Sequence, residues 1–159
     1  MEKTLVLGKI YSDSEVNVPH FSLQGLLPEG QILALHSEVR TLSLLGQGPE
    51  LLRQQQFSDS ELRVLKAILE AFPHYCPYEV LLASVTTHTI NTSNIDQSRQ
   101  KLQLARDRGE WRQELRPIRR ALSSLRYKLH IFHLEISIVR EGGCSLTCLV
   151  SPADGSVFR

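Results

Sequence analysis

The chain has 159 residues, a length that fits one domain or one domain with a short extension. Its composition, 42% hydrophobic and 22% charged, is close to the globular average and excludes a disordered chain or a fibrous repeat. The formal net charge of +1 conceals an uneven distribution, since residues 99–128 carry ten basic and three acidic side chains. Such a local positive field attracts polyanions, although a solvated helix face explains the same charges.

The three cysteines, Cys76, Cys144 and Cys148, are too few for a disulfide framework. Cys144 and Cys148 would lie about 13 Å apart on one strand face, at ~3.3 Å per residue, which excludes a bridge within the strand. No Cys or His partner stands at ligand spacing, so we expect no metal site. The lack of a secretory signal and of a long apolar run predicts a cytoplasmic protein that does not bind membranes.

The N-terminal part of the chain has the pattern of β-structure. Residues 4–10 alternate weakly between apolar and polar side chains, and residues 16–23 form a short segment of the same kind that Pro19 interrupts. Two further apolar runs, residues 32–35 and 39–44, flank a polar turn and predict a hairpin.

The period changes to that of a helix at residue 58. Ser58 and Glu61 fit a capping box, in which each side chain accepts a hydrogen bond from the other residue's backbone. Apolar residues then recur every three or four positions, at Leu62, Leu65, Ile68, Leu69 and Phe72. We expect an amphipathic helix that stops at Pro73.

Two more helices are predicted before the most basic segment. Pro77 suits the first position of a short apolar helix. Residues 86–94 are β-branched and rich in asparagine, which indicates a loop. Residues 95–108 predict an additional helix, ended by Gly109, with one apolar side at Ile95, Leu102 and Ala105.

The helix predicted over residues 114–129 has two different faces. One is an apolar stripe with spacings of 3, 4, 3 and 4, which indicates burial of Leu115, Ile118, Leu122, Leu125 and Leu129. At about 100° per residue, the opposite face is basic and polar. It carries Arg116, Arg120, Ser123 and Tyr127, flanked by Arg119 and Ser124. Residues 133–140 and 144–150 then predict a hairpin joined by a glycine-containing turn.

Residues 31–150 resemble the OmpR/PhoB-type winged-helix effector domain of bacterial transcription regulators. Four segments carry the likeness. They are a capped helix start with regularly spaced leucines at residues 57–65, an acidic residue before paired leucines at 79–82, a basic amphipathic helix at 118–129 and a hairpin at 136–144. It implies an α+β fold, with an N-terminal antiparallel β-sheet followed by a three-helix winged helix-turn-helix and a C-terminal β-hairpin wing.

The resemblance also implies a division of the chain. We expect a β-rich N-terminal extension at residues 1–30, a winged-helix domain at 31–151 and a frayed tail at 152–159. Since about 30 residues are too few for a receiver domain, none is expected. The inserted loop and helix at residues 86–114 exceed the family pattern and carry basic residues, so they are expected to contact DNA, RNA polymerase or another regulator. By analogy with helix-turn-helix proteins, a homodimer is a further expectation.

The function implied is sequence-specific binding of double-stranded DNA by a transcriptional regulator. Helix 116–129 would enter the major groove, where an arginine can bind the O6 and N7 atoms of guanine. The expected base contacts are Arg116, Arg119, Arg120, Ser123, Ser124 and Tyr127. The expected phosphate contacts are Arg106, Arg108, Arg112, Arg126, Lys128 and Arg140.

Other classes of function are weighed against this one. No nucleophile elbow, P-loop, dinucleotide turn or metal-binding histidine pair is visible, so we expect no enzyme, catalytic residue or cofactor. RNA binding is disfavoured because Tyr127 is the one aromatic residue on the basic face. The alternative is a winged-helix module for protein interaction or dimerisation that does not bind specific DNA.

Overall fold

The computed structural model describes residues 18–48, 50–87, 89–139 and 142–149. Within these residues the chain is α+β, with a four-stranded antiparallel sheet, then five α-helices, and a three-stranded antiparallel sheet. The strand expected at residues 4–10 and the tail expected at 152–159 lie outside the described residues, as does Arg140.

The first sheet contains the predicted hairpin. Its strands, in the order in which they pair, are β1 (His20–Phe21), β2 (Ile32–His36), β3 (Thr41–Leu45) and β4 (Leu51–Gln56). The hairpin is β2–β3, which pairs Ile32 with Leu45 at one end and His36 with Thr41 at the other. Three consecutive residues of β2, from Leu33 to Leu35, are buried, so this strand lies inside the sheet and against the core.

Strand β4 is an element that sequence reasoning missed. It lies at the sheet edge, and its exposed residues show no apolar alternation because an edge strand buries little. Its glutamines instead bond to the neighbouring strand and turn. Gln54 Nε2 donates to Ser43 Oγ at 3.2 Å, and Gln56 Nε2 donates to the Val39 carbonyl at 3.3 Å.

The first helix, α1 (Asp59–Ala71), confirms the predicted capping box. The Ser58 N–H donates to Glu61 Oε1 at 2.9 Å, and the Glu61 N–H donates to Ser58 Oγ at 3.2 Å. The next helix, α2 (Tyr78–Thr86), begins one residue later than predicted. Pro77 occupies its N-cap position in extended conformation because it belongs to the two-residue strand β5 (Cys76–Pro77).

The predicted insertion is mostly helical. It contains α3 (Thr92–Arg108) and the single turn α4 (Trp111–Glu114). The predicted loop extends to residue 94, and this end is wrong because α3 begins earlier. Asn91 Oδ1 caps the helix by accepting from the Asn94 N–H at 2.8 Å. Gly109 ends α3 as predicted, with a φ of 75° that favours glycine.

The basic helix is α5 (Arg116–Leu129), and it is separate from α4. Pro117 lies in its first turn and has no N–H with which to bond the carbonyl four residues earlier, so the continuous helix predicted from residue 114 is interrupted at Leu115. The stripe prediction is confirmed, since all five of its apolar residues are buried. They join one hydrophobic core with residues of α1, α2 and both sheets.

A 3₁₀ turn (His130–Phe132) leads from α5 to the second hairpin, β6 (Leu134–Val139) and β7 (Gly143–Cys148). Strand β7 lies between β5 and β6 in the second sheet. It approaches β5 so closely at Gly143 that any Cβ there would overlap the Cys76 carbonyl oxygen. The glycine therefore serves the pairing of β7 with β5 as well as the turn. None of the helices within the described residues has the length and apolar character to cross a membrane.

Candidate nucleic-acid interface

The outer face of α5 is the most basic helix face in the described part of the chain. Arg116, Arg119, Arg120 and Ser123 are exposed on it, and Tyr127 is 80% exposed one turn further along. The opposite side of the helix is held in the core by its apolar stripe. The helix therefore presents arginine, serine and tyrosine side chains from a fixed backbone, as a groove-reading helix must.

A cleft of about 310 Å³ opens where α4 meets the start of α5. It is lined by Arg112, Gln113, Arg116, Arg119, Arg120 and Ser123. None of these residues is acidic, and among the described residues no carboxylate forms an ion pair with any of the four arginines. Four neighbouring arginine residues without a bonded carboxylate favour the binding of an anion.

Two of the predicted DNA contacts face the protein instead. The Lys128 Nζ atom donates to Glu61 Oε1 at 2.8 Å and lies 5.5 Å from the centre of the Phe57 ring. Ser124 lies near the same carboxylate and helps to lower its pKa. These side chains therefore connect α5 to the N-terminal turn of α1.

The Glu61 carboxylate is the charged centre of this connection. Its residue is 7% exposed, and burial raises the pKa of the carboxyl. Hydrogen bonds from Lys128 and the Ser58 backbone, with the positive charge of Lys128 and the nearby Ser124, outweigh burial and hold the pKa below its usual value. Glu61 is therefore ionised at neutral pH and pairs with Lys128.

The remaining predicted phosphate contacts have different surroundings. Arg126 Nη2 donates to the Ile136 carbonyl at 3.2 Å and so ties α5 to β6. Arg106 lies over the Trp111 ring, 4.4 Å from its centre. Arg108 is exposed at the end of α3, outside the cleft. Arg140 lies outside the described residues.

Trp111 fixes the insertion against the rest of the molecule. Its ring meets that of Tyr78 at 6.0 Å and an interplanar angle of 80°, an edge-to-face contact between α4 and α2. Arg106 covers the ring from α3. These contacts determine where α4 holds Arg112 relative to α5.

Two buried thiols do not suggest covalent chemistry. Cys76 and Cys144 are opposite each other on β5 and β7, and both are free. Burial raises the pKa of each to about 12, so both are protonated and weakly nucleophilic at neutral pH. Within the described ranges, no group of three His, Cys, Asp or Glu residues could hold a metal ion.

Sequence reasoning found the outer face of α5 but missed the cleft and the Glu61 connection. The cleft combines Arg112 and Gln113 of α4 with residues of α5, on either side of the break at Leu115. Pro117 was the available signal for that break. No protein-family model, curated protein or solved structure matches the chain, so its function is argued from these residues.

Proposed function

We propose that the protein binds duplex DNA in a sequence-specific manner and regulates transcription, with α5 as the recognition helix of a winged-helix domain. The observation that carries this proposal is the outer face of α5. Its arginines are exposed without ion pairs in the described structure, and Tyr127 extends the same face. A cytoplasmic location and the absence of enzymatic activity and cofactors belong to the same proposal.

The order of the elements supports a winged-helix domain. A four-stranded sheet precedes the helices, and the β6–β7 hairpin follows α5 directly, apart from one 3₁₀ turn. Strand β5, between α1 and α2, pairs with β7 and so joins the hairpin to the helices. We interpret this order as that of an OmpR/PhoB-type domain, with α3 and α4 as an insertion between the second and third helices of the motif.

The surroundings of the side chains divide the predicted contacts into two groups. We retain as DNA contacts the exposed side chains that form no hydrogen bond, ion pair or ring contact with another element in the described structure, namely Arg108, Arg112, Arg116, Arg119, Arg120, Ser123 and Tyr127. We assign Ser124, Arg126 and Lys128 to the fold, because Ser124 and Lys128 lie at the Glu61 carboxylate and Arg126 bonds to β6. Arg106 stacks on Trp111 and belongs with them.

The test is selection from a randomised duplex pool by the purified protein, with sequencing of the retained DNA. We expect an enriched motif, and a dimer would give two half-sites about 10 base pairs apart. Arg120→Ala and Tyr127→Ala should each lose discrimination worth about 1–3 kcal/mol at one position of the motif. Both side chains are exposed, so the fold should remain intact by circular dichroism.

The matched control is Arg99→Ala, which removes the same charge from a paired arginine of α3. It should retain the motif. If Arg120→Ala and Tyr127→Ala enrich the same motif as the unaltered protein, α5 is not the recognition helix. Failure of the unaltered protein to retain any duplex at about 0.15 M salt would reject the proposal itself.

A protein-interaction module is the second candidate, and the edge of the first sheet favours it. Among the described residues no strand pairs with the outer side of β4, and Leu51 at its start is 55% exposed. Val39, which follows β2, is 59% exposed. An exposed edge with apolar residues is suited to pairing with a strand of another chain. Concentration-dependent dimerisation that Leu51→Lys abolishes would support this candidate.

A further inference from the structure

The cleft is a shallow, solvent-open depression over α4 and the first half of α5. Arg112, Arg116, Arg119 and Arg120 line it, whereas Tyr127 lies near the helix end, outside it. None of these arginines forms an ion pair among the described residues. Four neighbouring arginine residues without a bonded carboxylate concentrate positive charge at one place, which favours a phosphate.

The size and lining of the cleft fit a phosphate group. The cleft is open to solvent, with about 310 Å³ of accessible space, so a phosphate can enter it with its hydrating water. Planar guanidinium groups bind two oxygens at once, and phosphate offers several. Gln113 and Ser123 add neutral hydrogen-bond donors.

We propose that this cleft is a phosphate-binding site, in which Arg112 from the insertion closes around a phosphate that Arg116 and Arg119 bind from α5. This inference rests on the proposed function: the phosphate belongs to the DNA backbone, and its binding sets the register of α5 on the duplex. Residues near the start of α5 thus position the helix, while Tyr127 contributes to base recognition. The insertion acts as a wall of the site and extends the contact with DNA beyond the recognition helix.

The first arm of the test uses inorganic phosphate as the probe. Arginine Nε–Hε resonances of the full chain are followed during titration with sodium phosphate, at an ionic strength held constant with sodium chloride. We expect the signals of the cleft arginines to shift together and to saturate, and Arg112→Ala to abolish saturation. Lys101→Ala removes the same charge from an exposed position of α3 outside the cleft, and it should leave the saturable phosphate binding unchanged.

The second arm measures duplex affinity against salt concentration for the same proteins. One lost phosphate contact lowers the slope of log K against log salt by about 0.9, so Arg112→Ala should show that decrease for every duplex sequence. Arg112→Lys should keep most of the slope, since it keeps the charge. Lys101→Ala should match the unaltered protein.

The outcomes separate this inference from the proposed function. Saturable phosphate binding by a protein that retains no DNA would reject DNA binding and assign the site to a free phosphorylated ligand. Sequence-specific DNA binding with no phosphate saturation, and with an unchanged slope for Arg112→Ala, would reject the phosphate site alone. Equal effects of Arg112→Ala and Lys101→Ala in both arms would also reject it, because they would show a general effect of charge.

Discussion

The helices α3 and α5 both belong to the positively charged stretch of the chain, but their arginines have different surroundings. On α3, Arg99 lies 2.6 Å from a carboxylate oxygen of Asp96 and 3.4 Å from one of Glu79. On α5, Arg116 and Arg120 form no ion pair among the described residues. Charge density along a sequence therefore identifies a basic region, and the partners of each side chain decide which part of it remains available to an anion.

The two helices also differ in how they are anchored. The buried residues of α3 are Ser98, Leu102 and Ala105. Ser98 and Ala105 are small, and Leu102 is the one large side chain among them. Those of α5 are Ile118, Ala121, Leu122, Leu125 and Leu129, spread over its length. We infer that α5 is the more rigid platform, since most helix stability comes from packing of the apolar face. The proposed role in DNA binding needs that rigidity, because the side chains would have to meet fixed positions on the duplex.

The largest effect that we predict tests this difference in anchoring. Leu125→Ala should lower the free energy of unfolding by about 2–5 kcal/mol, because it leaves a cavity at a fully buried site beneath the basic face. Leu102→Ala in α3 should cost less, since Leu102 borders a surface pocket that water can enter. Urea unfolding measures both values. An equal loss for the two variants would show that α3 is anchored as firmly as α5.

Much of this arrangement could be predicted because its signals are local. The stripe from Leu115 to Leu129, the Ser58–Glu61 box and the end of α3 at Gly109 each depend on residues a few positions apart. The pair of Glu61 and Lys128 could not be predicted, because 67 residues separate its members and packing brings them together. The same holds for Arg126, which bonds to a carbonyl of β6.

A smaller effect is predicted for the connection between α5 and α1. Glu61→Gln keeps a capping oxygen for the Ser58 N–H but loses the charge that pairs with Lys128. We expect a loss of about 1.5–3 kcal/mol at neutral pH, the range for hydrogen bonds to charged groups. Urea unfolding of this variant beside Asp96→Asn, which removes the charge from the exposed pair with Arg99 in α3, separates the buried connection from an ordinary surface pair.

The lowered pKa of Glu61 determines how the stabilisation by this connection changes with pH. The pKa of Glu61 is lower in the folded protein than in the unfolded chain, so ionisation stabilises the fold above the ordinary glutamate pKa of about 4.3. That stabilisation is lost as the pH falls through the lower, folded pKa. The difference in stability between the unaltered protein and Glu61→Gln should therefore be largest near neutral pH and shrink below about pH 4. A difference that stays constant with pH would contradict the role of the charge.

The smallest effects are predicted where the two helices end. Gly109, after α3, has a φ of 75° and open space around its Cβ position, so Gly109→Ala should cost about 1 kcal/mol through backbone strain alone. His133, after α5 and its 3₁₀ turn, has a φ of 60° without being glycine. His133→Gly should therefore stabilise the protein by about 0.5–1 kcal/mol, since the relieved strain exceeds the added freedom of the unfolded chain. The midpoint temperatures of thermal unfolding of Gly109→Ala and His133→Gly test both expectations. Destabilisation by His133→Gly would mean that the imidazole contributes more to the start of β6 than its backbone conformation costs.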